Sequence, residues 1–329
     1  MIRVERQQTF DRQEYTCPEV SPEVTLLQDQ VELDFNMDGE VDFNSTFIEY
    51  EYEVDRAIEK IYETFYVVDI VLAVLISCFN AILIILVISG PKSRKQPFNI
   101  IVLSQAVCNL LAGLLACSFI AATRNQLKTP ARFTEEALGI NEPFCKFLGF
   151  MVEALMCTMT WFAMSVTIYR TALLTSTVNR VTTIVLAAAP WVIGPVSVAA
   201  LKVPLNPDYV ICEFYTKNEI LVTYYIVVSL AIPGFFLLAS SITCLVSTCG
   251  RNVRTRHLVL STVAVCVIAG VVILFSVPFH IFVGRCLFEL ERCILAREIS
   301  VSLQFCVALV IPVVVLIFPE VHTRKLDTV

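Results

Sequence analysis

Seven residues near the start of the chain, Glu49-Tyr50-Glu51-Tyr52-Glu53-Val54-Asp55, set two tyrosines among four acids. Carboxylates at that density project a long-range anionic field, which speeds the capture of a cationic protein. Glu153 stands alone inside an apolar stretch, and an ionisable side chain in such a place normally faces a cavity, here one that could receive a basic ligand group. Asp34-x-Asn36-x-Asp38-Gly39-Glu40-Val41-Asp42 copies the first nine positions of an EF-hand calcium loop. The bidentate Glu that closes such a loop is Ser45, and residues 22–33 make a poor flanking helix, so no metal is expected there. Neither a catalytic triad nor a cluster of metal ligands is visible, so the expectation is a protein that is not an enzyme and needs no cofactor.

The elements that must carry these groups follow from composition. Of 329 residues 57% are hydrophobic and 16% charged, where a soluble domain has about 25% charged residues. Residues 1–65 hold 17 acids and 5 bases, a balance of −12; the whole chain is −6, so the remaining 264 residues sum to +6. That asymmetry disfavours nucleic acid, which calls for a basic footprint, and favours a cationic partner for the acidic part. The rest divides into seven apolar runs, 66–89, 98–122, 145–172, 180–201, 220–249, 258–283 and 298–318. Each meets the roughly 20 residues that a helix needs to cross a bilayer. The expected architecture is an all-α membrane protein: an acidic extracellular tail over 1–65, a seven-helix bundle over 66–318 and a short cytoplasmic tail over 319–329.

Charge in the short loops gives the orientation. Lys92, Arg94 and Lys95 follow the first run, and Arg251, Arg254 and Arg256 follow the fifth, with no acid in either loop. The loops on the other face mix signs, with Arg124, Lys128, Arg132, Glu135, Glu136 and Glu142 in one and Asp208, Glu213, Lys217 and Glu219 in another. By the positive-inside rule the N-terminus is outside and the C-terminus inside. The glycosylation triplet Asn44-Ser45-Thr46 agrees, since it lies where a secretory-pathway glycan could reach it. No apolar segment precedes residue 66, so helix one is expected to direct its own insertion, without a cleavable signal peptide.

Eight of the thirteen cysteines, Cys78, Cys108, Cys117, Cys157, Cys244, Cys249, Cys266 and Cys306, fall within the apolar runs and are expected as free thiols packed like small hydrophobes. Cys17, Cys145, Cys212, Cys286 and Cys293 lie outside or at the outer edge, where disulfides persist. Cys145 and Arg170 bracket the third run; 25 residues at about 1.5 Å each separate them by roughly 37 Å, a bilayer with its interfaces.

An outer Cys145 opening helix three, Cys212 in the loop after helix four and Arg170 at the inner end of helix three resemble the rhodopsin-like G-protein-coupled receptors. Further landmarks fit: Asn80 in helix one, Leu103-x-x-Ala106-x-x-Asn109-Leu110-Leu111 in helix two, Trp191 in helix four, and Pro233, Pro278 and Pro312 in helices five to seven. The acid-flanked Tyr50 and Tyr52 look like the sulfated tails of chemokine receptors. The resemblance covers residues 66–318 and implies a plasma-membrane receptor for a chemokine or other basic protein, coupled to a heterotrimeric G protein through Tyr169, Arg170 and Thr171. It implies ligand contacts at Glu49, Tyr50, Glu51, Tyr52, Glu53, Asp55, Glu153 and Glu298, the last standing one turn nearer the surface than Val301, which replaces the family's helix-seven acid. It also implies a Cys145–Cys212 disulfide and a second bridge, either Cys17–Cys286 or Cys286–Cys293. Asp69 and His280 are read as interfacial residues, with a rim contact to ligand as the alternative.

Departures from the family pattern are equally specific. Tyr169 stands where most members have an acid before Arg170, Asn109 replaces the helix-two Asp, Ser276 the helix-six Trp, and Ile311-Pro312-Val313-Val314-Val315 the Asn-Pro-x-x-Tyr. A carboxylate would hold Arg170 by a charge-assisted hydrogen bond; without one, Arg170 is expected to face the cytoplasm and basal signalling to be raised. The alternative is a decoy that binds without signalling. A transporter or channel would need more polar residues in the runs or inverted repeats, and light sensing would need a helix-seven Lys that residues 298–318 lack. Worn motifs, an acidic N-terminus and only ten residues after Pro319 are similar to herpesvirus-encoded receptor homologues, which would place the chain in a host cell membrane. Those last residues offer only Thr323 and Thr328 as hydroxyls, and end in Asp327-Thr328-Val329, which suits a PDZ groove.

Overall fold

A computed structural model describes residues 43–89, 96–127, 142–175, 178–200, 219–249, 256–285 and 290–316. The chain divides into two units, Met1–Tyr52 and Glu53–Val329. Among the described residues every element is helical. In chain order they are α1 (Phe43–Ser89), α2 (Pro97–Leu111, a π-turn at Ala112–Cys117, then Ser118–Leu127) and α3 (Glu142–Thr175). Then follow α4 (Arg180–Ala199), α5 (Glu219–Ile226, a π-turn at Val227–Ala231, then Ile232–Cys249), α6 (Arg256–Arg285) and α7 (Leu290–Val315). Seven stretches are long and apolar enough to cross a membrane: Glu59–Ser89, Pro97–Asn125, Phe147–Leu173, Arg180–Ala199, Thr223–Cys249, Val259–His280 and Glu298–Val315. They coincide with the seven runs read from hydropathy.

Helix starts and stops have local causes. No Gly or Pro occurs between Gly39 and Gly90, so nothing interrupts α1 until Gly90-Pro91. Pro97 occupies the first turn of α2, where its missing N–H goes unmissed. Asn179 caps α4, its side-chain oxygen accepting from the Thr182 N–H at 2.7 Å. The π-turn of α5 lies just ahead of Pro233, which cannot donate back to Ser229; widening the helix there reroutes the ladder.

Two buried clusters show how the helices are threaded. One joins Leu83 and Val87, Phe98 to Ala106, Ala163 to Tyr169, Ala187, Leu237 and Cys244, Ala264 to Val272, and Val307 to Val315. These come alternately from late and early parts of successive helices. The other joins the complementary parts: Leu72 to Ile76, Cys108 to Cys117, Val152 to Phe162, Val198, Tyr225, Phe279, and Val301 to Ala308. Successive helices are therefore antiparallel. The outward faces are apolar, with Val74 56% and Ile85 61% exposed, while many polar side chains are inside. This inversion of the soluble pattern suits a hydrocarbon surround, and the protein is a multi-pass membrane protein.

Candidate functional site

At the end of the bundle where α1 enters, three charged side chains meet. Asp69 from α1 and Glu298 from α7 both pair with Arg124 of α2. They are 0%, 1% and 3% exposed. Arg124 also stacks over the Phe65 ring, 5.4 Å from its centroid, and the Cys117 thiol donates to the Asp69 main-chain carbonyl at 3.2 Å. This corrects two expectations. Arg124 is not a loop residue, because the helix of α2 runs past its apolar run to Leu127. Asp69 is not interfacial, because Arg124 gives it an ionic partner inside the bundle. Glu298, expected to contact ligand, is held by the same guanidinium. The signal that would have found Arg124 is charge balance: it is the first base beyond the second run, level with two acids that have no base within their own runs.

A second network links α3, α5 and α6. The Tyr225 hydroxyl donates to Glu153 Oε2 at 2.7 Å, and the Tyr225 ring stacks on His280 at 5.6 Å between centroids. His280 Nδ1 lies 2.7 Å from the Ser276 carbonyl, and Nε2 lies 2.6 Å from Ser229 Oγ. A carbonyl only accepts, so Nδ1 carries a proton. His280 is buried rather than interfacial, because these polar partners come from the bundle's inward faces. Glu153 is half-buried and is the member of this chain through which an incoming basic group could act.

The opposite end holds Arg170. It is 4% exposed, and its guanidinium lies over the Phe98 ring at 4.7 Å, while Tyr169 stacks on the same ring at 5.3 Å. The expectation that Arg170 faces the cytoplasm is overturned. The electron-rich face of Phe98, from the first turn of α2, attracts the cation. Thr171 donates to the Thr167 carbonyl at 2.9 Å and lies 3.3 Å from Cys244 Sγ on α5.

Between the two ends, Asn80 of α1 and Asn109 of α2 converge on the Ala308 carbonyl of α7, at 3.1 and 3.5 Å. Trp161 of α3 donates to the Val228 carbonyl in the α5 π-turn at 3.2 Å, and Trp191 packs edge-on against Phe162. The eight cysteines of the apolar runs are free thiols.

Glu49 to Asp55 and Asn44 lie on the helical backbone of α1. Cys145 lies near the start of α3 and Cys293 near the start of α7; Cys17, Cys212, Cys286 and the EF-hand-like positions 34–42 lie outside the described residues. Among the described residues no group of His, Cys, Asp and Glu could hold a metal ion. No protein-family model matches the chain, and no curated protein matches it.

Proposed function

We propose that the chain is a receptor of the rhodopsin-like, G-protein-coupled type, which captures a basic extracellular protein, a chemokine by its likeness to that branch. In this reading the N-terminus is outside the plasma membrane, and heterotrimeric G proteins engage the end that carries Arg170. The observation that carries the reading is the convergence of Asn80, Asn109 and the Ala308 carbonyl. Asn80 and Asn109 are landmarks of that resemblance on two helices, and the carbonyl they meet is the one that Pro312, a landmark on a third, leaves without its helical donor.

The polar chain supplies a route for the signal. A ligand ammonium or guanidinium that reaches Glu153 competes with the Tyr225 hydroxyl for the carboxylate. Release of Tyr225 disturbs its stack on His280, which sits two residues beyond Pro278, where the helical ladder of α6 lacks a bond. Movement of α6 about that point is the expected output. The acids Glu49, Glu51, Glu53 and Asp55, with Tyr50 and Tyr52 as sulfation sites, concentrate the ligand beforehand.

The second reading is a decoy that binds chemokine without signalling, favoured by the burial of Arg170 on Phe98. A chemokine-binding panel on transfected cells, with Tyr50→Phe and Tyr52→Phe, followed by second-messenger assays of Arg170→Ala, separates these. Binding with Arg170-dependent output supports the receptor. Binding with no Arg170 effect selects the decoy, and ion flux without binding replaces both by a transporter.

A further inference from the structure

Ser229 of α5 has one hydroxyl proton and two close contacts that each call for it. Its Oγ lies 2.5 Å from the Tyr225 main-chain carbonyl and 2.6 Å from His280 Nε2. The carbonyl only accepts, so the contact with it takes the Ser229 proton. The contact with His280 then sets two lone pairs against each other unless Nε2 carries a proton of its own. Nδ1 already carries one, which it donates to the Ser276 carbonyl at 2.7 Å. A second ring proton gives every contact a donor: Nδ1 to Ser276, Nε2 to Ser229 Oγ, and Ser229 to Tyr225. We propose that His280 Nε2 is a proton-binding site inside the bundle, filled from Glu153 by way of Tyr225 and Ser229, and that its occupancy opposes a cationic ligand at Glu153. The second half rests on the receptor reading above; the first half stands without it.

The groups that would carry the proton stand in series. The Tyr225 hydroxyl donates to Glu153 Oε2 at 2.7 Å, and Ser229 adjoins that same hydroxyl. A proton that reaches Glu153, the half-buried member, passes to Tyr225 Oη while Tyr225 gives its own proton to Ser229 Oγ and Ser229 gives its own to Nε2. One proton enters and one is held; Glu153 is left a carboxylate, and rotation of the two hydroxyls resets the chain. Tyr225, Ser229 and His280 are at most 4% exposed, so the hydroxyls rather than bulk water form the path.

The surroundings suit a positive ring. The Tyr225 ring stacks on His280, 5.6 Å between centroids and 25° between planes, and an aromatic face attracts a cation. Among the described residues, Tyr225 and Ser229 of α5 and Ser276 and Phe279 of α6 face His280 directly. Glu153 and Cys157 of α3 act on it through Tyr225. On α7, Glu298 pairs with Arg124 and Cys306 adjoins Cys117. Glu153 thus supplies the opposite charge. A ligand cation that occupies Glu153 takes up that charge and repels the imidazolium across a low-dielectric gap. Ligand and proton are therefore antagonists, and by linkage each weakens the other. Ligand captured at neutral pH is released on acidification.

The test is nitrogen-15 NMR of the full-length protein, labelled at its three histidines, in lipid nanodiscs without ligand as pH is lowered from neutral. Ring-nitrogen signals that vanish in His280→Gln belong to His280. The expected result is a change from one protonated ring nitrogen to two while the protein remains folded. Ser229→Ala removes the acceptor of the Nε2 proton and is expected to lower the pH of that change by about one pH unit, a tenfold weaker hold on the proton. Glu153→Gln removes the opposite charge and is expected to lower it as well. A single protonated nitrogen throughout the folded range, or a change that neither variant moves, overturns the proton site. Should Ser229→Ala fail to fold, the wild-type titration and Glu153→Gln still decide it. In a second arm, a panel of labelled basic chemokines is applied to expressing cells at neutral and acidic pH. Binding is expected to weaken on acidification in the wild type and to depend less on pH in His280→Gln; equal dependence in the two overturns the antagonism. No binding at either pH overturns the receptor reading and the antagonism with it, while the NMR arm decides the proton site by itself.

Discussion

Asn80 on α1 donates a hydrogen bond of 3.1 Å to the main-chain carbonyl of Ala308 on α7, the carbonyl that Pro312 leaves without its helical donor. Proline at a helix interior removes the bond to the carbonyl four residues earlier. In hydrocarbon that carbonyl has no water to turn to. The side-chain amide of another helix takes the place, and the defect in α7 becomes the joint between α1, α2 and α7.

Replacing Asn80 by Leu is accordingly predicted to destabilise the bundle by about 0.6–1.7 kcal/mol, the usual range for interhelical hydrogen bonds in membranes. Asn109→Leu should cost less, because its contact is longer at 3.5 Å. Thermal unfolding of the two variants in nanodiscs checks the order; equal or reversed losses would contradict the assignment.

Phe98→Leu keeps an apolar side chain but removes the ring beneath Arg170. A desolvated cation–π contact contributes about 2 kcal/mol, and 1.4 kcal/mol is a factor of ten in an equilibrium. Basal second-messenger output is predicted to rise several-fold in Phe98→Leu and to fall back in the double variant with Arg170→Ala. No rise at equal surface expression counts against a Phe98 latch.

Gly194 of α4 lies directly against α3. A Cβ there would overlap Thr158 Oγ1 and stand 3.0 Å from the Ala154 carbonyl. Gly194→Leu is predicted to push the helices apart and cost about 1–3 kcal/mol or more as overpacking. Gly234→Ala, where a Cβ meets nothing within 4 Å, is predicted to be tolerated. Surface expression and unfolding temperature of the two variants give the contrast.

Arg124→Met removes the guanidinium that pairs with two buried carboxylates, Asp69 and Glu298. Breaking a buried pair in this way costs about 3–5 kcal/mol, so folded protein at the cell surface should fall sharply. Removing the acids as well, in Asp69→Asn, Glu298→Gln, Arg124→Met, is predicted to restore part of it, because the two carboxylates that Arg124 paired with are then neutral.

Hydropathy revealed all seven crossings, since each run is apolar over the thickness of a bilayer. It misjudged where two helices end. The α1 helix extends back to Phe43 and α2 on to Leu127 because helix continuity depends on the absence of Gly and Pro, whereas hydropathy reports only the depth in lipid. Arg124 was missed for that reason. Asp69 and His280 were legible as charged or titratable residues within apolar runs, but not as members of networks, because their partners lie 55 and 51 residues away in sequence. Phe98 carried no signal at all: an aromatic in a span reads as core, and its role depends on α3 passing Arg170 across its face.

Ligand capture at the cell surface tests the receptor reading most directly. Cells expressing the chain with an N-terminal epitope are incubated with a panel of labelled chemokines, and the epitope is stained without permeabilisation. The reading predicts staining of intact cells, saturable binding of at least one basic chemokine, and weaker binding in the Tyr50→Phe, Tyr52→Phe variant. Surface staining with no binding above that of untransfected cells would contradict it.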